Sequence, residues 1–306
     1  MSRVSGGCRG GEAPLTITRP IRVGLSLMPA EDFRFATLPL FQANLIDAIE
    51  WNVDMGWGPQ GIPPWVDRLL SEYGDAGRLY GHGVEFSLLS AELSPRQSWW
   101  LEQLAAERHR FVHLSEHFGF MTAGDFVGGT PLPHPKTDAA VRIGRDRLQR
   151  IADAVGAPVG LENLALAFGA ADVATQPGFI DELLAPLDGF LLLDLHNLYC
   201  QSVNFGIDAE ALLGRYPLER VRELHVAGGS WARPASDPEG RPFRRDSHDD
   251  VVPTDLFPLL ERALALCPRV EVVILERADH TLFGGEEIAR FQADYRRLKA
   301  TVEGMP

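Results

Sequence analysis

The chain has 306 residues, 45% hydrophobic and 23% charged, with 29 basic against 42 acidic side chains and a formal charge of −13. Such a composition excludes a disordered tail or a fibrous repeat, and the length is enough to bury one large core or two modest ones. The sign of the charge excludes a general nucleic-acid binder, and apolar runs of only a few residues exclude a membrane-spanning helix, which needs about 20. Residues 1–20 hold Gly, Ser and scattered Arg without an apolar stretch; they predict a flexible tail, no secretory signal and a cytoplasmic protein. Cys8, Cys200 and Cys267 share no CxxC spacing, so neither a disulfide framework nor a thiolate metal site is expected. Any metal must use His and carboxylates.

From residue 21 onward, short β-branched or apolar runs alternate with longer amphipathic segments. Strands are predicted over 21–28, 48–53, 79–87, 110–115, 158–161, 190–195, 221–226 and 271–275, with helices over 95–109, 138–155, 177–187, 254–266 and 286–302. Eight strands in this rhythm predict an α/β fold, a single (β/α)8 barrel over 21–306 with no second domain; an open doubly wound sheet is the alternative. Connections entering strands are terse (156–157, 267–268), whereas those leaving the fourth and seventh strands are long (117–135, 227–252). In such a barrel the loops at the C-terminal strand ends carry the active site.

Polar residues end the apolar runs: His82 in GHGVEFSL, Glu116 and His117 in FVHLSEH, Glu162 in VGLEN, Asp194 and His196 in FLLLDLHN, His225 in RELHV and Glu276 in VVILER. The loop after the seventh strand adds Asp246 and His248 in RRDSHDD. Asp194 and His196 read as sharing one strand face, as do Val272, Ile274 and Glu276. Several acids at one rim are costly unless cations lie between them. The donors suit iron, manganese or zinc without separating them, and their number exceeds one ordinary site, so a polynuclear centre is expected.

His109, His134 and His280 read as ordinary core or surface histidines, and His113 and Glu223 as groups one layer below the rim. Asp249 and Asp250 read as solvated loop charges. Cys200 and the aromatics Trp51, Trp57, Trp99, Trp100 and Phe118 read as packing. No GxSxG elbow, Walker loop or strand-linked GxGxxG is present.

Seven motifs, GHGVEFSLLS, HLSEHFGF, VGLENLA, LLLDLHNLY, RELHVAGG, DSHDDVVP and ILERAD, occur in that order. In them the chain resembles the multinuclear non-haem iron-dependent oxidase family that includes the methanobactin biosynthesis oxidase, over about residues 21–297. The resemblance implies a (β/α)8 barrel with two or three iron ions in mixed Fe(II)/Fe(III) valence and dioxygen as cosubstrate. It implies iron ligation by His82, His117, Glu162, Asp194, His225, Asp246, His248 and Glu276, with Asn197 at a further ligand position. Glu162 is then the bridging carboxylate, and Glu162, Asp194 and His225 the catalytic set. Two departures stand out: Glu116 where the family has aspartate, which keeps the charge and a supporting role, and His196 where it has asparagine, which alters the third metal position. The implied substrate is a ribosomally synthesised precursor peptide, modified at a Cys or another residue of its C-terminal region, with a partner protein holding its leader. The loop 227–245 reads as a lid or docking element, whose Arg244 and Arg245 pair with an acidic peptide or simply meet solvent. The rival reading is a divalent-metal, xylose-isomerase-like sugar isomerase or epimerase, or a metal-dependent hydrolase.

Overall fold

A computed structural model describes residues 20–234, 236–237 and 239–305. The tail expected over 1–20 therefore lies, except for Pro20, outside the described residues. The first half runs β1 (Arg22–Ser26), α1 (Glu31–Gln42), β2 (Ala48–Asn52), α2 (Pro64–Asp75), β3 (Leu79–Gly83), α3 (Pro95–Ala105), β4 (Leu114–His117), β5 (Phe120–Ala123), β6 (Phe126–Leu132) and α4 (Asp138–Val155). The second half runs β7 (Val159–Glu162), α5 (Ala170–Leu184), β8 (Phe190–Asp194), α6 (Leu195–Phe205), α7 (Ala209–Leu213), β9 (Val221–Val226), β10 (Trp231–Ala232), β11 (Phe243–Arg244), α8 (Leu256–Leu266), β12 (Val272–Leu275) and α9 (Gly285–Glu303).

Eight of these strands close a parallel barrel in the order β1-β12-β9-β8-β7-β4-β3-β2. Strands buried on both faces are apolar nearly throughout, as LLLD in β8 and VVIL in β12 illustrate. The main core lies between strands and helices, and a smaller cluster of Ala48, Tyr80, Val272 and Ile274 fills the barrel interior. Gly24 lets the wall close there, since a Cβ would sit 2.6 Å from the Ala48 carbonyl oxygen and 2.7 Å from Ile274 Cδ1. Among the described residues no helix is long and apolar enough to cross a membrane.

All eight expected strands are present, with shifted ends. The run expected over 79–87 stops at Gly83, because the Asp54 carboxylate accepts from Val84 N (2.6 Å) and Glu85 N (3.1 Å) and turns the chain away. The fourth strand extends past 115 to His117, and Phe118 N still donates to the Glu162 carbonyl at 3.0 Å. The strand expected over 190–195 ends at Asp194, whose Oδ1 accepts from Asn197 N at 2.5 Å and caps α6. His196 therefore sits in the first turn of a helix, which corrects the shared strand face expected for it and Asp194.

Helix α5 begins at Ala170 rather than 177, because Asp172 Oδ2 accepts from Phe168 N and Gly169 N and closes the helix start upstream. Pro177 then lies inside the helix, where its missing N–H forfeits one backbone bond. Helix α3 has the expected start, with a reciprocal Ser94–Gln97 capping box before Pro95. Each long loop at the C-terminal barrel face holds an unexpected two-stranded hairpin, β5–β6 after β4 and β10–β11 after β9.

Candidate metal centre

Strand alternation aims His82, His117, Glu162, Asp194 and His225 into the C-terminal mouth of the barrel. Glu276 follows β12 directly, and the β9–α8 loop brings in Asp246 and His248. Their donor atoms form a chain of overlapping groups, each with its atoms within 4.8 Å of one another. His82, His117 and Glu162 form the first; Glu162, Asp194 and His225 the second; Asp194, His248 and Glu276 the third. His196, Asp246 and His248 form a fourth at the outer edge. Glu162 and Asp194 each belong to two groups, so neighbouring positions share a carboxylate.

In the first group Glu162 Oε2 lies 3.0 Å from His117 Nε2 and 3.3 Å from His82 Nε2. His82 Nδ1 meets Ser115 Oγ at 2.8 Å, which leaves Nε2 directed at the centre. Asn197 donates from Nδ2 to Glu162 Oε1 (3.0 Å) and to the Asn163 carbonyl (2.9 Å), so it fixes the shared carboxylate while its Oδ1 has no partner among the described residues. Glu276 Oε2 lies 3.1 Å from His225 Nδ1. At the outer edge Asp246 Oδ1 is 2.7 Å from His248 Nε2 and 3.2 Å from His196 Nδ1. His248 holds a left-handed backbone, φ 50°, pinned by Ala278 N to its carbonyl at 2.8 Å. A non-glycine residue there costs about 1 kcal/mol, a strain typical of functional positions.

The residues present fit metal ions. Glu162 Oε2, Asp194 Oδ2, Asn197 Oδ1, His225 Nδ1, His248 Nε2 and Glu276 Oε2 are all buried without a well-aligned hydrogen bond among the described residues, and the acids and imidazoles among them face chiefly one another. Each such group costs about 1–3 kcal/mol if left unpaired, and five of the six belong to the overlapping groups at the mouth. Charge makes the same point. Burial, then repulsion from Asp246, Glu162 and Glu276, pushes Asp194 well above the usual carboxylate range. Despite burial, His117 and His82 hold Glu162 below that range, and His248 and His196 do the same for Asp246. His117 is pushed up to about 9: burial disfavours its imidazolium, but Glu162 and Glu116 outweigh it. Four carboxylates this close stay ionised together only with cations among them.

Beneath the mouth lies a supporting layer that sequence reading caught in part. His113 Nε2 meets Glu223 Oε2 at 2.6 Å with both side chains fully buried, as expected for groups below the rim. Glu50, absent from the sequence candidates, lies 2.9 Å from His225 Nε2. Its signal was a lone acid inside the apolar run AIEWN, which a buried strand tolerates only if the acid is paired.

Glu116 is not among the converging groups. It shares the outward face of Gly83, beside Trp100, and burial, then Asp54, pushes its carboxyl well above the usual range. Its Oε1 accepts from His117 N at 3.1 Å, which ties it to the backbone of a converging histidine. Cys200 packs under His196, its sulfur 3.8 Å from Nε2 and its thiol pushed up by burial, so it is a packing residue as expected. His109 pairs with Glu107 and Asp67, and Asp249 with Ser230, Ser247 and Arg245; both lie outside the centre.

A cleft of about 390 Å³ opens beside the centre. His117, Asn197 and Asp246 line its inner end, Leu164, Leu166, Phe205 and Phe243 its apolar walls, and Arg244 and Arg245 its far side.

Residues 63–300 match the model of a family described as RiPP precursor modification enzyme MbnB/TglH/ChrH. A UPF0276 protein of Rhizorhabdus wittichii is 32% identical over 200 residues, covering 65% of this chain and 68% of its own. One from Acaryochloris marina is 29% identical over 218 residues, covering 66% and 75%. Among solved structures, L-ribulose 3-epimerase superposes with a TM-score of 0.57 at 15% identity, covering 93% of this chain and 95% of that one. A D-tagatose 3-epimerase-like protein gives 0.54 at 15% identity, covering 93% and 98%. Likeness at that identity shows the fold alone.

Proposed function

The chain belongs to the family of RiPP precursor modification enzymes MbnB/TglH/ChrH, and on that premise we propose that it is a multinuclear non-haem iron, dioxygen-dependent oxidase of a ribosomally made peptide. The carrying observation is the run of shared carboxylates and orphaned donor atoms at the barrel mouth. His82, His117 and Glu162 would hold one ion, and Glu162, Asp194, His225 and Glu276 a second. Asp246, His248 and His196 would hold a third. When bound, iron supplies one-electron redox chemistry and dioxygen activation, with the peptide as electron donor and no nicotinamide consumed.

The chain's own residues supply placement. Asn197 and Ser115 lock the orientation of Glu162 and His82, so the donor atoms are held before any ion or substrate arrives. The apolar cleft walls receive the peptide and strip water from the residue presented to the centre. Proximity of that residue to the shared carboxylates is the main contribution a rigid barrel can make. A leader-binding partner protein would add the affinity that a short core peptide lacks.

The test is elemental analysis of anaerobically purified protein with Mössbauer and EPR spectra, followed by oxygen uptake on adding a precursor peptide encoded nearby. Two or three irons per chain and peptide-dependent uptake are expected. Zinc or manganese without iron, and no uptake, would overturn the proposal in favour of an isomerase or hydrolase.

A further inference from the structure

Three arginines are almost fully buried: Arg147, Arg244 and Arg277. Arg147 pairs with Asp146 at 2.6 Å, and Arg277 donates to the Thr281 hydroxyl and carbonyl. Arg244 differs from both. It is 8% exposed, and while its unpartnered Nε has a parallel in Arg147, no part of its guanidinium meets a carboxylate, hydroxyl or carbonyl among the described residues. Its Nε is enclosed without an acceptor and its terminal N–H groups are left to the cleft it lines, so the charged fork is open to an anion there.

The position is built rather than incidental. Arg244 N donates to Asn204 Oδ1 at 2.7 Å and Asn204 Nδ2 returns a bond to the Arg244 carbonyl at 2.9 Å, pinning β11 to α6. The guanidinium carbon lies 5.8 Å from the centre of the Trp231 ring, its cross-strand neighbour. Arg244 shares the cleft with the apolar walls and with His117 and Asp246. Neighbouring Arg245 is half exposed and already engaged by Asp249 and Ser230. With a net charge of −13, the chain as a whole repels acidic peptides, so capture of an acid needs a local cation.

We propose that Arg244 is the carboxylate-binding residue of the peptide cleft, taking a carboxylate close to the modified residue while an adjacent apolar side chain fills the Leu164–Leu166–Phe205–Phe243 wall. The proposal rests on the peptide-modifying reading above. The carboxylate is either the peptide's C-terminus or an Asp or Glu side chain; the planar guanidinium suits both.

The test uses four fluorescein-labelled peptides: Gly-Gly-Leu-Cys as free acid and as amide, and the amides of Gly-Leu-Cys-Asp and Gly-Leu-Cys-Asn. Anisotropy titrations are run on anaerobically purified wild type, Arg244→Gln and Arg244→Lys, with metal content measured on each. In at least one acid–neutral pair the acid is expected to bind wild type about tenfold tighter or more. That preference is lost in Arg244→Gln and partly kept in Arg244→Lys, at unchanged metal content. The pair that discriminates identifies the source of the carboxylate. Equal binding within both pairs, persistence of the preference in Arg244→Gln, or no binding of any peptide to a fully iron-loaded wild type overturns the proposal and leaves the metal reading standing. Discrimination by a protein that holds no iron overturns the iron reading and keeps Arg244.

Discussion

Glu50 on β2 and His225 on β9 meet across the barrel interior, 2.9 Å apart between Oε2 and Nε2, with both side chains fully buried. An ionised carboxylate can only accept, so the bond places the ring proton on Nε2 and leaves Nδ1 for the mouth. There Nδ1 faces Glu276 at 3.1 Å and Asp194 at 4.0 Å. The neighbouring Glu223 gives its Oε2 to His113 and holds its Oε1 3.8 Å from His225 Nε2, beyond hydrogen-bond distance.

Glu50→Gln should therefore weaken metal retention at the His225 position about 10–100-fold, the usual consequence of losing a carboxylate behind a ligating histidine. Glu50→Ala should do the same and also lower stability by about 1–3 kcal/mol, because Nε2 is left buried without an acceptor. Chelator competition reads the first effect and urea denaturation the second. Nitrogen-15 histidine spectra of zinc-loaded protein would show the tautomer. Wild-type metal retention in Glu50→Ala would remove Glu50 from the support of the centre.

Glu162 and His82 should behave differently when lost. The carboxylate serves two adjacent groups and the imidazole only one. Glu162→Gln is expected to cost two metal positions and His82→Ala one, read as metal per folded chain by elemental analysis. Equal losses in the two variants would contradict a shared carboxylate.

The loop carrying Asp246 and His248 is held against α6 by close backbone approach at Gly229. A Cβ on Gly229 would lie 2.2 Å from the Arg245 carbonyl oxygen and 2.9 Å from His196 Cε1, and backbone cannot yield as a flexible side chain would. Gly229→Ala should therefore displace Asp246 and His248 from His196. Loss of the outermost metal position is expected, with the His82–His117–Glu162 position retained. Full occupancy in this variant would show that the loop adapts without cost to the site.

The barrel was legible because apolar runs and their terminal acids and histidines recur with the spacing of β/α units. What the sequence concealed was local. The start of α6 read as strand because Asp194 and His196 alternate with leucines at the end of the run LLLDLHN, although the Asp194–Asn197 spacing is also that of a helix cap. Helix α1 was missed in a segment interrupted by Pro39. The β5–β6 hairpin turns at Gly124, φ 59°, within a stretch whose glycines and prolines read as loop. Glu50 was hidden for another reason: its partner His225 is 175 residues away, and no local pattern carries that distance.

Acid should uncover a contribution outside the centre. Although burial opposes it, the His109 bond at 2.7 Å holds Glu107 below the ordinary glutamate value of 4.5. A depressed folded-state value means stability that is present in full above about 4.5 and lost as pH falls through the folded value. Glu107→Gln is expected to cost about 1–2 kcal/mol at pH 7 and progressively less in acid. Urea midpoints at pH 7 and below pH 4 measure this, and a difference that grows in acid would reverse the assignment.

Metal removal should destabilise the fold itself, because without cations the crowded atoms of Glu162, Asp194, His225, His248 and Glu276 have little but one another to pair with. A ligand that binds only the folded state stabilises it by about 2.7 kcal/mol at one hundred times its Kd. For a chain of this size that is several degrees in Tm. Thermal melts of iron-loaded protein before and after anaerobic chelation should differ by at least that much, and adding ferrous iron back should restore the loss. Asp194→Asn removes one of the crowded carboxylates, so it should narrow the gap by raising the metal-free melt as well as lowering the loaded one. A metal-free melt equal to the loaded one in wild type would mean that the carboxylates are satisfied by protons alone.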